Sequence, residues 1–74
     1  MTKDFIKIYI KTDFLTLGQL LKLKNLVLTG GEAKTFLKSH KIEVNKIPDD
    51  RRGKKLYVGD QVVIDSRLKF EIAK

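Results

Sequence analysis

The sequence predicts an α+β domain, a two-helix hairpin packed on a small, mostly antiparallel sheet, and three observations predict it. Apolar and polar residues alternate at 5–11 and again at 68–72, the period-two pattern of half-buried strands. Two segments, opening at Thr16 and at Thr29, place Gln19 or Glu32 three positions after a threonine and continue with apolar residues at helical spacing. No internal repeat or low-complexity linker interrupts the 74 residues, so 1–74 is expected to form one domain.

The first strand, 5–11, turns Ile6, Ile8 and Ile10 toward the core and leaves Phe5, Lys7, Tyr9 and Lys11 outside. Phe5 and Tyr9 offer aromatic faces for base stacking, against the commoner role of covering a sheet edge. Thr16 caps a short first helix in which Leu17, Leu20 and Leu21 form the buried stripe while Lys22 and Lys24 point outward. Leu15 is placed to staple against Leu20, and Asn25 is the expected terminator before the apolar step Leu26, Val27, Leu28.

The stretch 28–45 organises the rest. Thr29 and Glu32 fit a capping box, the threonine oxygen taking a first-turn N–H and the carboxylate reaching back to the cap. The second helix then buries Ala33, Phe36 and Leu37 and ends near Ser39 and His40. Two short helices joined by a brief apolar link make a helical hairpin. Ile42 and Val44 alternate with Glu43 as a strand, Asn45-Lys46 forms a tight turn into Ile47, and Pro48 ends the return strand or confines it to an edge. The charged run 49–55 is a loop by composition. A strand end and turn at 57–60, a strand over 61–65 with Val62 and Ile64 on one face, and a last strand with Leu68, Phe70 and Ile72 inward complete the chain. The last strand is expected to pair with the first, since each shows one apolar face and backbone groups that need partners.

Lys plus Arg number 16 against 9 Asp plus Glu, a formal net charge of +7. An excess that large on so short a chain favours polyanionic partners, because every neutralised phosphate releases counterions. Cysteine is absent, which removes disulfides and thiolate metal sites and suits a reducing compartment. The N-terminal segment carries a lysine or aspartate every few residues, which argues against a signal peptide or spanning helix and for a cytoplasmic location.

The candidate binding residues fall in two segments. Gly30 and Gly31 leave the mouth of the second helix bare of side chains, where outward N–H groups and the positive end of the helix dipole favour a phosphate. Lys34, Lys38 and Lys41 follow at i, i+4 and i+7, three cations expected on one helical face. Arg51, Arg52, Lys54 and Lys55 crowd the loop after the strand turn. Arginine clamps phosphate with two donors or stacks on a base, and lysine supplies a point charge. The competing account is a solvated loop in which Asp49 and Asp50 neutralise the arginines.

Catalytic constellations are missing. Asp49-Asp50 has no histidine beside it and reads as a turn or as partners for Arg51 and Arg52. Ser39 and His40 are helix neighbours that point different ways, and His40 suits the negative end of the dipole. TGGEAK lacks the closing glycine-lysine pair of a nucleotide-binding loop. No enzyme, cofactor or metal site is expected.

On these residues the chain resembles the S4 RNA-binding domain, the alpha-L RNA-binding motif, and most closely its short free-standing bacterial members of the YaaA type. The resemblance covers 15–65. It rests on the leucine-rich first helix with Leu17, Leu20 and Leu21, the Thr29 cap, Glu32-Ala33-Lys34, Leu37, Ile42-Glu43-Val44-Asn45 and Gly59-Asp60-Gln61-Val62, with TGGEAK and RRGKKL in the flavour of the free-standing members. It implies binding of structured RNA, ribosomal RNA first and transfer RNA second, through the second helix, its mouth and the loop after the strand turn, with Thr29 and Lys34 on positions the family uses. Where the family usually has glycine this chain carries His40 and Lys46, and where it often has a basic residue after the cap it carries Gly30. Glycine at such turns usually serves φ > 0.

The expected function is therefore a non-catalytic, monomeric RNA-binding protein, docked on the ribosome or its precursors and reading shape and phosphate spacing. The alternative is an adaptor that meets an acidic protein surface, anchored by Phe5, Tyr9 and Tyr57.

Overall fold

The computed structural model describes residues 5–74; residues 1–4, part of the N-terminal charge argument, lie outside the described residues. Strand β1 (Ile6–Tyr9) is followed by a two-residue strand β2 (Leu15–Thr16) that runs directly into helix α1 (Leu17–Leu23). Helix α2 (Gly30–Ser39), β3 (Ile42–Val44), β4 (Ile47–Pro48), β5 (Lys55–Leu56), β6 (Gln61–Ile64) and β7 (Leu68–Ala73) follow. The main sheet has the order β1-β7-β6-β3-β4, and β2 pairs with β5 in a separate antiparallel ribbon.

The first and last strands pair as expected, in parallel, with Ile8 opposite Ile72 and Ile6 opposite Phe70. The other pairings of the main sheet are antiparallel. Ile8, Ile10, Phe70 and Ile72 are buried, but Ile6 is 49% and Leu68 38% exposed. Both residues open their strands, Ile6 on the edge strand, and stay exposed although their partners Phe70 and Ile64 are buried.

Leu17, Leu20 and Leu21 of α1 are fully buried and meet Leu56, Val62, Ile64 and Ile72 in one cluster, each such side chain contributing about 1.5–3 kcal/mol by burial. The capping box at Thr16 is complete: Thr16 Oγ1 accepts from Gln19 N, and Gln19 Oε1 accepts from Thr16 N. Asn25 terminates α1 in the left-handed region at φ 61°. Its N–H donates to Lys22 O at 3.0 Å and that of Leu26 to Leu21 O at 2.9 Å, the paired bonds of a Schellman ending.

Asn45 and Lys46 both have positive φ, 53° and 71°, and join β3 to β4 as a two-residue hairpin turn with β4 on the sheet edge. His40, by contrast, sits at φ −125°, so of the two positions where the family usually has glycine Lys46 alone is held in the left-handed region. Asn45 also ties distant segments together. Its N–H donates to Gln61 O at 2.8 Å, its Oδ1 accepts from Gln61 N at 3.0 Å, and its Nδ2 donates to Asp60 Oδ1 at 3.1 Å. Asp60 Oδ2 in turn accepts from Tyr57 N at 2.7 Å, beside Gly59 at φ 97°. The V-N and G-D signals are thus two halves of one lock.

The segment 49–55 is not wholly a loop. Lys55 pairs with Thr16 and Leu56 with Leu15, which pulls the end of the charged run back against the start of α1.

Candidate nucleic-acid interface

The loop between β4 and β5 docks on α1 through its backbone. Leu17 N donates to Lys54 O and Gly18 N to Arg52 O, each at 2.8 Å, so two N–H groups that a helix start leaves without partners are met by this loop. Arg52 then reaches from α1 to α2: its guanidinium donates to Gly30 O at 2.8 Å. One arginine therefore bridges the two helix openings.

At α2 the cap differs from the expected box. Glu32 N donates to Thr29 Oγ1 at 3.1 Å, as foreseen, but the Glu32 carboxylate accepts from Leu28 N at 2.6 Å instead of from the cap residue. The extended backbone at Thr29 presents the preceding N–H to it. Gly31 is exposed and Gly30 half-buried, because Arg52 covers it, with its Nη1 3.4 Å from where a Cβ would stand. The mouth is open on the Gly31 side only.

Lys34, Lys38 and Arg52 line one shallow hollow together with Asp50, three cations to one carboxylate. This is the convergence the sequence spacing anticipates for the helix face and for one of the two arginines. Lys41 does not share the helical face: α2 ends at Ser39 with His40 as its cap, so the i+7 relation has no helix to act on. Lys41 instead lines an adjoining groove with Lys38, the apolar Leu37, Ile42 and Pro48, and the carboxylates Asp49 and Asp50.

The remaining loop cations have other partners. Arg51 is spent on Asp49, with Nε to Oδ1 at 3.0 Å and Nη2 to Oδ2 at 2.8 Å. That fork-to-fork pair, foremost its side-chain hydrogen bonds, holds the Asp49 carboxyl below its ordinary value and raises Arg51. For Arg51 the neutralised-loop account holds. Arg52 differs: among the described residues it forms no ion pair within 4.0 Å with Asp50. Lys54 is half-buried, and Lys55 Nζ lies 4.8 Å from the centre of the Phe14 ring, which itself packs 6.0 Å from Tyr57. Lys55 therefore faces an aromatic pair and does not line the hollow of Lys34 and Lys38.

Lys22 is the cation that sequence reasoning left out of the site. It lines a second hollow with Gly18, Gly30, Arg52 and Gly53, which shares Arg52 with the first. Its outward position on α1 was legible, but its neighbourhood depends on where a loop thirty residues away comes to rest.

His40 caps α2, stacks on Phe36 with ring centroids 4.0 Å apart, and places Nδ1 2.6 Å from Asp65 Oδ2. Asp65 Oδ1 accepts from Lys41 N at 2.9 Å. The hydrogen bond to His40, then that to Lys41, lower the Asp65 pKa. Among the described residues, no group of three or more His, Asp or Glu side chains is placed to hold a metal ion, and no helix is long and apolar enough to cross a membrane.

The sequence pattern of the S4 domain family matches residues 8–72. The chain is also 51% identical over 65 residues to a Bacillus subtilis (strain 168) protein named "Probable ribosome maturation protein RlbA", an alignment that covers 88% of this chain and 92% of that protein. With a match across nearly the whole chain, and with the helix hairpin, the Asn45 lock and the mostly antiparallel sheet in place, the chain belongs to the S4 domain family.

Proposed function

We propose that this protein binds structured RNA without catalysing a reaction and acts in ribosome maturation, with ribosomal RNA as the first candidate ligand and transfer RNA the second. Family membership and the name of its Bacillus relative support an RNA-centred, ribosome-related role. The observation that carries the site is the gathering of Lys34, Lys38 and Arg52 around one hollow on a chain of net charge +7. Lys22 and Lys41 extend that surface, and Gly30 adjoins it beside Arg52, while Thr29 and Gly31 line a separate hollow with Glu32, Thr35, Phe36 and Ser39. Phosphate contacts from such a surface set affinity and register, while the shape of the RNA sets choice. The site of action that follows is the cytoplasm, where ribosomes are assembled.

A salt titration of ribosomal RNA binding tests this. Lys34→Glu with Lys38→Glu is expected to weaken binding and to flatten the salt slope by roughly one unit for each phosphate that is no longer neutralised. Superimposable titrations for the double variant and the wild type overturn the assignment.

A second reading, an adaptor for an acidic protein partner, is favoured by Tyr9 and Tyr57, which stand 69% and 49% exposed. RNase separates the two: a ribosomal partner retained after digestion supports the adaptor.

A further inference from the structure

Asp50 is the unexplained member of the basic hollow. Its neighbour Asp49 is fully engaged by Arg51. Asp50 lines the hollow with Lys34, Lys38 and Arg52, yet among the described residues its carboxylate accepts no hydrogen bond from a side chain and lies within 4.0 Å of no cationic nitrogen. Arg51, the cation next in sequence, is taken up by Asp49, and Arg52 donates to Gly30 O. For a surface that only collects phosphate, such a carboxylate is a liability, because it repels the ligand and in the free protein gives only a through-space attraction to the already paired Arg51. It becomes useful when the ligand brings a hydrogen-bond donor alongside its anion.

A ribonucleotide does so. Its 2′-hydroxyl lies next to the 3′-phosphate, so a phosphate held by Lys34, Lys38 and Arg52 brings a donor toward an acceptor-only group. Deoxyribose offers the same phosphate with no donor, and the carboxylate then meets it with uncompensated repulsion. Selection of this kind works by penalising the wrong ligand as much as by rewarding the right one.

Resting on the RNA-binding reading above, we propose that Asp50 is a specificity-determining residue that makes the Lys34–Lys38–Arg52 hollow select ribose over deoxyribose by accepting a hydrogen bond from a 2′-hydroxyl.

The test uses the full chain and one hairpin made three ways, all-ribose, 2′-fluoro and deoxyribose. The hairpin is taken from ribosomal RNA, because the shape of the ligand is read along with its phosphates. The 2′-fluoro form keeps the bases and removes the hydroxyl donor. Wild type is expected to prefer the all-ribose hairpin over both others by on the order of tenfold, as for one hydrogen bond to a charged acceptor. Asp50→Ala should raise affinity for the 2′-fluoro form and bring it within about twofold of the all-ribose form, which shares its A-form shape, while the deoxyribose form gains affinity but stays weaker because its duplex has another shape. Asp50→Asn removes the charge but keeps an acceptor oxygen, and should retain part of the preference, which a general charge effect would not. Equal affinity of wild type for the ribose and 2′-fluoro hairpins, or ratios unchanged in Asp50→Ala, overturns the role of Asp50 while leaving RNA binding intact. Absence of all-ribose binding by wild type, or indifference to Lys34→Glu with Lys38→Glu, overturns the functional reading and this inference with it.

Discussion

The backbone N–H of Gly18 donates to the carbonyl of Arg52 at 2.8 Å, an approach so close that a Cβ on residue 18 would lie 3.2 Å from that oxygen and 3.3 Å from Arg52 Cβ. The position of Arg52 over α2, and so the shape of the basic hollow, depends on that absent side chain.

Gly18→Ala and Gly31→Ala make a matched pair, since each glycine occupies the first turn of a helix. Alanine gains up to about 1 kcal/mol of helix propensity at either position. At residue 31 the nearest atom to a new Cβ is Thr29 Oγ1 at 3.9 Å, ordinary contact, so Gly31→Ala should raise the melting temperature. At residue 18 the crowding falls on loop backbone, which has little room to yield, so the gain should vanish or reverse. Thermal unfolding of both variants checks this, and an equal rise in both would show that the loop does not rest on α1.

Lys46→Gly should stabilise the protein by about 1 kcal/mol, because Lys46 is held at φ 71°, where a side chain crowds the backbone, and Asn-Gly is the favoured pair for this turn. His40→Gly should bring no such gain: His40 is extended and would lose its ring stacking on Phe36 and its bond to Asp65. Urea denaturation midpoints for the two variants are expected to move in opposite directions.

Acid sensitivity follows from Asp65. Its pKa is lowered by His40 first and by Lys41 N–H second, so the unfolded chain takes up the proton at a higher pH than the folded one. The stability it contributes is fully present above the ordinary carboxylate value of about 4 and is lost as pH falls through the lower folded value. Asp65→Asn should therefore be less stable than wild type at neutral pH, with the difference shrinking as the solution is acidified below that range. Denaturation midpoints measured across the acid range report this, and a constant gap would assign the loss to something other than the carboxylate charge.

Most of the fold was legible because its signals are local. A threonine three residues before Gln19 satisfies first-turn N–H groups whatever the rest of the chain does, and Asn25 tolerates the left-handed ending that α1 requires. Ile6 and Leu68 misled the strand pattern because alternation fixes the face a residue is on and not how far the core extends along it. Lys41 was misplaced because helical spacing was carried two residues past Ser39, the last residue of α2.

By itself, then, the sequence determined the α+β class, the two capped helices, the Asn45-Lys46 turn and the excess of positive charge, each of which follows from neighbours within a few positions. Only the tertiary structure decided which cations stand together. Arg51 and Arg52 are adjacent and chemically identical, yet one is neutralised by Asp49 and the other bridges two helices beside Lys34 and Lys38. The physical reason is that charge partners are chosen by distance in space, and that distance was set by β5 pairing with β2 and by the bare backbone of Gly18, not by the order of residues along the loop.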